Sequence, residues 1–330
     1  MDWRQVLDQR NLQIDVFADE TWIGKQEFLG IGCLYVPSAE KEKCTRTLFD
    51  SRCLKNDHSQ WVSSFSECPV GKSCSAERHA QDDAVIHFNE ILANKSRAKV
   101  QIAKRWLNYF KSSRSPLFFK LILLDLQKLS RDKFGDEQVW GNIYNRFFRS
   151  NLIFSLKSFF HANQRPVDIQ RVYQHRNTML ESHNYFPLQN LHKLEDQGIR
   201  GLVVRDYLVR FISDNHRAIS SVEEKGDSQL FQLTDLLIGT SCQVIFNTSQ
   251  DTAKLHIAQE IRPLVVNQSK FRKFHASLFP KNSICLSQNI IGTIEEEIHH
   301  NNQFTTQFAI RMPEYKSNFL DLTRLGTKDK

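Results

Sequence analysis

The run LFFKLILL at residues 117–124 constrains this chain more than any other segment. It is almost continuously apolar, and it is far shorter than the ~20 residues a membrane-spanning helix needs. A run of this length and composition reads as a β-strand covered on both faces, so the fold must supply cover on two sides. Asp125 stands at its end, in an odd place for a carboxylate.

Upstream, Leu12, Ile14, Val16 and Ala18 alternate with Gln13, Asp15, Phe17 and Asp19, the period of a strand. A turn at Gly24-Lys25 and a β-like run, Phe28–Val36, stopped by Pro37, complete an antiparallel hairpin. Residues 38–76 read as irregular. The spacing of Val85, Phe88, Leu92, Ile102, Trp106 and Phe110 predicts a helix over about 77–113. Further helices are expected at 137–163, 200–213, 228–247 (opened by Asp227-Ser228) and from about 254. Strands are expected at Val167–Tyr173, at Ala218–Val222 and in the terminal FTTQFAIRM. Strands followed by alternating helices and strands indicate α/β or α+β layers around a mixed sheet. We expect one α/β domain over 1–250 with an insert at about 38–76. A C-terminal helical extension over 251–330 would pack on the same domain.

Composition limits the partners. With 44 Lys and Arg against 37 Asp and Glu the formal charge is +7, compatible with a phosphate-rich ligand. No apolar stretch suits a membrane, and the charged start MDWRQVLDQR has no signal-peptide core, so a cytoplasmic protein is expected. Seven Cys, an odd number, argue against a disulfide framework. Cys44, Cys53, His58, Cys68, Cys74 and His79 lie close in sequence without a CxxC pair, so thiols are favoured over a structural zinc. GxxxxGK[ST], GxGxxG and GxSxG motifs are all missing. Basic and aromatic residues interleave at Arg146-Phe147-Phe148-Arg149 and again at Lys270-Phe271-Arg272-Lys273-Phe274-His275. The first reads as an amphipathic helix that buries Phe and exposes Arg. In the second, Lys270, Arg272 and Lys273 are candidates for holding a nucleic-acid backbone.

Carboxylates in apolar settings are the sharpest chemical signal. Asp19 and Glu20 end the first strand, Asp125 ends the most apolar one, and Asp235 sits inside LFQLTDLLIG. Glu90 follows His87 by three residues, on one face of the expected helix. Each has an ordinary alternative: a turn for Asp19 and Asp125, a helix cap for Asp235, solvent for Glu90. An ionised carboxylate among apolar neighbours is costly unless a cation or donors compensate it. A hard divalent cation would do so and would activate a water against phosphate.

The segments VFADETW (16–22), FLGIGCLYV (28–36), VIHFNEILANK (85–95), YNRFFR (144–149), DSQLFQLTDLLIGT (227–240) and FAIRM (308–312) resemble a bacterial family of ribonuclease H-like proteins of unassigned function. Its members carry an Asp-Glu-Ser/Thr strand and a Gln-Leu-Ala/Thr-Asp-Leu helix. The resemblance implies a ribonuclease H-like mixed sheet flanked by helices. It also implies a nuclease using two Mg2+ or Mn2+ ions, held by Asp19, Glu90, Asp125 and Asp235, with Glu20 and His87 in supporting or proton-transfer roles. Asp125 is carried by topology alone, and Gln174-His175 stands where the family often has an acid. Family members are associated with mobile-element or antiviral defence loci, so a partner protein is a further expectation. The alternative is a silent ribonuclease H-like subunit that binds nucleic acid or protein; a zinc-stabilised interaction domain over 44–79 is a third reading.

Overall fold

The computed structural model describes residues 11–24, 27–52, 85–93, 97–129, 131–134, 139–162, 164–175, 191–195, 199, 201–267 and 272–279. The expected hairpin is its first feature: β1 (Leu12–Ile23) pairs antiparallel with β2 (Phe28–Pro37), in a register that sets Asp19 opposite Gly32. Gly24 leaves β1 at φ 60°, where a side chain would be strained. β3 (Phe118–Asp125) joins β2 antiparallel, placing Leu121 opposite Gly32 and Asp125 opposite Phe28. β4 (Val167–His175) lies parallel to β1 on its other side, and two short strands, β5 (Leu202–Val204) and β6 (Val209–Ile212), lie parallel to β4. With β7 (Phe274–Phe279) parallel to β3, the result is a seven-stranded mixed sheet, ordered β5-β4-β1-β2-β3-β7, with β6 also on β4.

Side-chain alternation splits the core in two. On one face Phe17, Leu34 and Leu121 pack against three helices. These are α2 (Arg97–Lys111), which brings Trp106, α4 (Val222–Phe246), which brings Leu237, and α5 (Thr252–Val266), which brings Ile261. On the other face Val16, Ile31 and Phe118 pack against Tyr144, Phe148 and Leu152 of α3 (Val139–Ser158). LFFKLILL is therefore covered on both sides, as its composition requires. Its single lysine, Lys120, is buried, with its ammonium 2.7 Å from Ser277 Oγ and 4.3 Å from the centre of the Phe154 ring. A short helix, α1 (Lys41–Asp50), follows β2 inside the stretch expected to be irregular. Because α5 packs on α2 and α4 while β7 extends the sheet, Thr252–Val266 and Phe274–Phe279 share the layers of the N-terminal part.

Several sequence expectations are corrected. Within 77–113 the described residues form an α-helix only over Arg97–Lys111; residues 77–84 and 94–96 lie outside them, and an extended His87 leads into one 3-10 turn, Phe88–Glu90. The backbone N–H groups of Ile86 and Phe88 donate to the side chains of Gln232 and Asp235, so tertiary partners override the apolar spacing. Residues 200–213 form β5 and β6, not a helix; Val203, Val204 and Val209 suit a sheet, and Gly201 adopts φ 76°. Residues 218–222 are not a strand: a 3-10 turn, His216–Ala218, leads directly to α4. Asp227 does not open that helix, since Ser221 caps it, accepting from Glu224 N at 3.4 Å. Asp227 is instead buried within α4, 2.6 Å from the Lys41 ammonium. The terminal FAIRM segment lies outside the described residues.

Candidate functional site

Three parallel strands, β1, β4 and β6, end on the same edge of the sheet, where the chain has left β1 for β2 on one side and returned as β4 on the other. A crevice outside the carboxyl ends of such strands is where open α/β sheets place ligands. Asp19 and Glu20 arrive from β1, Gln174 and His175 from β4, and Asp214 from just beyond β6. α4 lies over one side, bringing Asp235. Its close seat is set by Gly32, where a Cβ would overlap Ile238, one turn along α4 from Asp235. Gly32 is the partner of Asp19 in the hairpin, so Asp19 and Asp235 are drawn to the same place.

The Gln232-Leu233-Thr234-Asp235 stretch has a definite structural job. Gln232 Oε1 accepts from Ile86 N at 2.9 Å, and Asp235 Oδ2 accepts from Phe88 N at 2.7 Å. These two bonds strap the extended segment to α4 and aim His87, the residue between them, into the crevice. Gln232 Nε2 also donates to the Asp214 carbonyl at 2.7 Å, fixing the loop on the far side. His87 Nε2 then lies 2.9 Å from Asp214 Oδ2 and its Nδ1 3.7 Å from Asp235 Oδ2, while His175 Nε2 approaches Asp214 Oδ2 at 3.1 Å. The side chains of Asp235 and His175 are each 22% exposed, so the cluster opens to solvent.

Charge shapes this cluster. Burial alone would lower the His87 pKa, but its bonds to Asp214 and Asp235 and their negative charge raise it to about 10. Burial would raise Asp214, yet the two histidines hold its carboxyl well below the ordinary range. Asp19 goes the other way: burial, then the negative charges of Glu20, Asp235 and Asp214, push it well up, with only the Glu20 N–H opposing among the main influences. Glu20 points to the other face of β1, where Tyr144 Oη donates at 3.0 Å and Gln174 Nε2 at 2.8 Å. Gln174 thus holds a carboxylate and does not supply one.

The remaining sequence candidates do not join this cluster. Asp125 lies four residues beyond the level of Asp19 and two strands across, about 13 Å along and about 10 Å sideways. Its carboxyl is buried, 3.9 Å from Lys128, and burial pushes its pKa up to about 6. Glu90 sits on the 3-10 turn, not on a helical face with His87; it is exposed and paired with Lys99 at 2.6 Å. Lys273 is not a surface residue: its ammonium donates to the carbonyls of Ser112 at 2.9 Å and Ser115 at 3.2 Å. Arg272 is exposed, and Lys270 lies outside the described residues. Of the zinc candidates Cys44 is buried in the core, its thiol pushed up to about 12 by burial, and the others lie outside the described residues. Asp214 was missed because Ser-Asp-Asn-His reads as an ordinary loop.

Hard oxygens from Asp19 and Asp235 suit Mg2+ or Mn2+. Among the described residues no group of three or more His, Cys, Asp and Glu side chains converges into a metal cage. Mg2+ seldom needs one, because it keeps several waters and binds through one or two carboxylates plus substrate phosphates. The donor set therefore fits a hydrated ion and not a four-acid, two-ion cage. No helix of the described residues is long and apolar enough to cross a membrane. No protein-family model, curated protein or solved structure matches the chain.

Proposed function

We propose that the chain is a divalent-metal-dependent nuclease of ribonuclease H-like architecture. The observation that carries this reading is the crowding of negative charge on Asp19 by Glu20, Asp235 and Asp214 at the carboxyl ends of parallel strands. A cation would relieve such crowding. The mixed sheet with helices on both faces and the Asp-Glu-Thr and Gln-Leu-Thr-Asp-Leu segments support the same reading.

Asp19 and Asp235 would hold the ion, which would lower the pKa of a bound water and draw charge from the scissile phosphate. The chain's own groups do the rest. His87, held by Asp214 at 2.9 Å, would stand where it can give a proton to the departing oxygen. Asp214 fixes His175 and His87 together, and Tyr144 with Gln174 keeps Glu20 turned away from the ion. The alternative, a silent binding subunit, is favoured by one feature: Glu90 and Asp125 stand apart from Asp19.

Cleavage of labelled single- and double-stranded DNA, RNA and hybrid with Mn2+ separates the two. We expect cleavage by the wild type and at least a hundredfold loss in Asp19→Asn and Asp235→Asn, the scale of removing a charge-stabilising group. No cleavage of any substrate by folded wild type, or equal cleavage by the variants, would overturn the nuclease reading.

A further inference from the structure

The contact between β1 and α3 forms a ladder on the face of β1 that Glu20 occupies, opposite the one where Asp19 meets α4. Its inner rung is Glu20 against Tyr144. Two residues further along β1, on the same face, Trp22 meets Trp140, one turn earlier on α3. The two indoles lie edge to face, with ring centres 5.8 Å apart and planes at 81°. The Arg131 guanidinium lies over the Trp140 ring at 4.5 Å. Trp22 is 36% exposed, whereas Trp106 is fully buried and Ile23, its neighbour on β1, is nearly so. An exposed Trp22 set edge to face on a partly buried Trp140 that a guanidinium caps, one rung from Glu20, is more than the core needs.

The 3-10 turn Arg131–Phe134, with Arg131 on Trp140 and Phe134 under Arg146, links this pair to the outer side of α3, about half a turn round the helix. Asn142, Asn145, Arg146, Arg149, Ser150 and Ile153 line an open groove of about 430 Å3. Arg146 lies over the Phe134 ring at 5.5 Å. Asn145 Oδ1 and Arg149 Nε have no hydrogen-bond partner among the described residues. Nor do Arg131, Arg146 and Arg149 form ion pairs with a described carboxylate. Positive charge therefore tracks away from an aromatic platform.

We propose that Trp22 and Trp140, with Arg131, form a stacking platform for unpaired bases. The groove along α3 takes the adjoining sugar-phosphate backbone, so the ligand is a single-stranded nucleic acid. A base in a duplex hides its faces against its neighbours, while an indole platform needs a free face. An acidic peptide would use the arginines and leave the indoles idle. The proposal deepens the nuclease reading by naming its substrate class, but binding at the platform requires no metal and no cleavage.

The test is equilibrium binding in EDTA, read by anisotropy of labelled oligothymidylate, oligouridylate and a duplex, and by indole quenching in the wild type. We expect single strands to bind more tightly than duplex and to quench indole emission. Trp22→Ala should weaken single-strand binding about tenfold, with Trp22→Phe restoring most of it. Replacing Arg146 and Arg149 together by Gln should lower the salt slope by about 1.4. Equal affinity for duplex, unchanged binding by Trp22→Ala, a Trp22→Phe variant no better than Trp22→Ala, or displacement by polyglutamate as readily as by oligonucleotide would each overturn the proposal. Metal-dependent cleavage with binding indifferent to Trp22→Ala removes the platform and leaves the nuclease. Binding as expected with no cleavage removes the nuclease and leaves the platform.

Discussion

His87 shows how a residue's role depends on who holds its backbone. The sequence placed it three before Glu90 on a helix, and its spacing allowed nothing else to be said. In the fold it is extended, at φ −113° and ψ 135°, because side chains of α4 take the N–H groups on either side. Asp235 was legible, since a carboxylate inside LFQLTDLLIG needs a reason to be there. Gln232 was legible only as part of a motif, and its work as a strap was not. Asp125 was equally conspicuous, yet its reason is Lys128 and the backbone N–H of Gln127 at 3.1 Å. Its pKa rises from 3.8 to about 6, so the fold prefers its neutral form. That preference contributes stability fully below the unfolded value and loses it as pH climbs through about 6. Asp125→Asn cannot ionise, so urea midpoints at pH 4 to 7 should show the variant gaining on wild type by about 2 kcal/mol. Parallel profiles would mean that Asp125 is not buried as described.

The elements that sequence patterning located well are those with a strict period or an unbroken apolar run. The hairpin, β3 and β4 belong to this group, as does α3, which buries Phe147 and Phe148 while Arg146 faces water. The elements it misplaced are short or held by tertiary partners, β5 and β6 above all. The segment 85–93 depends on one close approach, because a Cβ on Gly239 of α4 would overlap the Phe88 ring. Gly239→Ala should push this segment off α4 and stretch the Phe88 bond to Asp235. We expect a loss of about 1–3 kcal/mol in denaturant titrations, typical of overpacking. Amide exchange at Phe88 should also quicken, relative to β2 and β3. A helix that simply gains from replacing glycine by alanine would instead become more stable. That result would show that the segment does not sit as tightly as described.

At the scale of the whole molecule, four stretches of chain have to close on one cluster. β1 brings Asp19, the approach to α4 brings Asp214, and α4 itself brings Asp235, while the 85–91 segment threads His87 between the last two. No local pattern encodes that convergence; it follows from the parallel pairing of β1, β4 and β6. The net charge of +7 leaves this acidic cluster set in a basic protein, which would favour the approach of an anionic ligand to the proposed cation site. We propose that Asp19 and Asp235, and not Asp125 or Glu90, form that site. Mn2+ titration followed by the loss of its free-ion electron paramagnetic resonance signal tests this directly. We predict saturable binding to wild type, a drop of at least tenfold in affinity for Asp19→Asn and Asp235→Asn, and no change for Asp125→Asn or Glu90→Gln. Binding that survives loss of Asp19 and Asp235, or that vanishes with Asp125 or Glu90, would contradict the account.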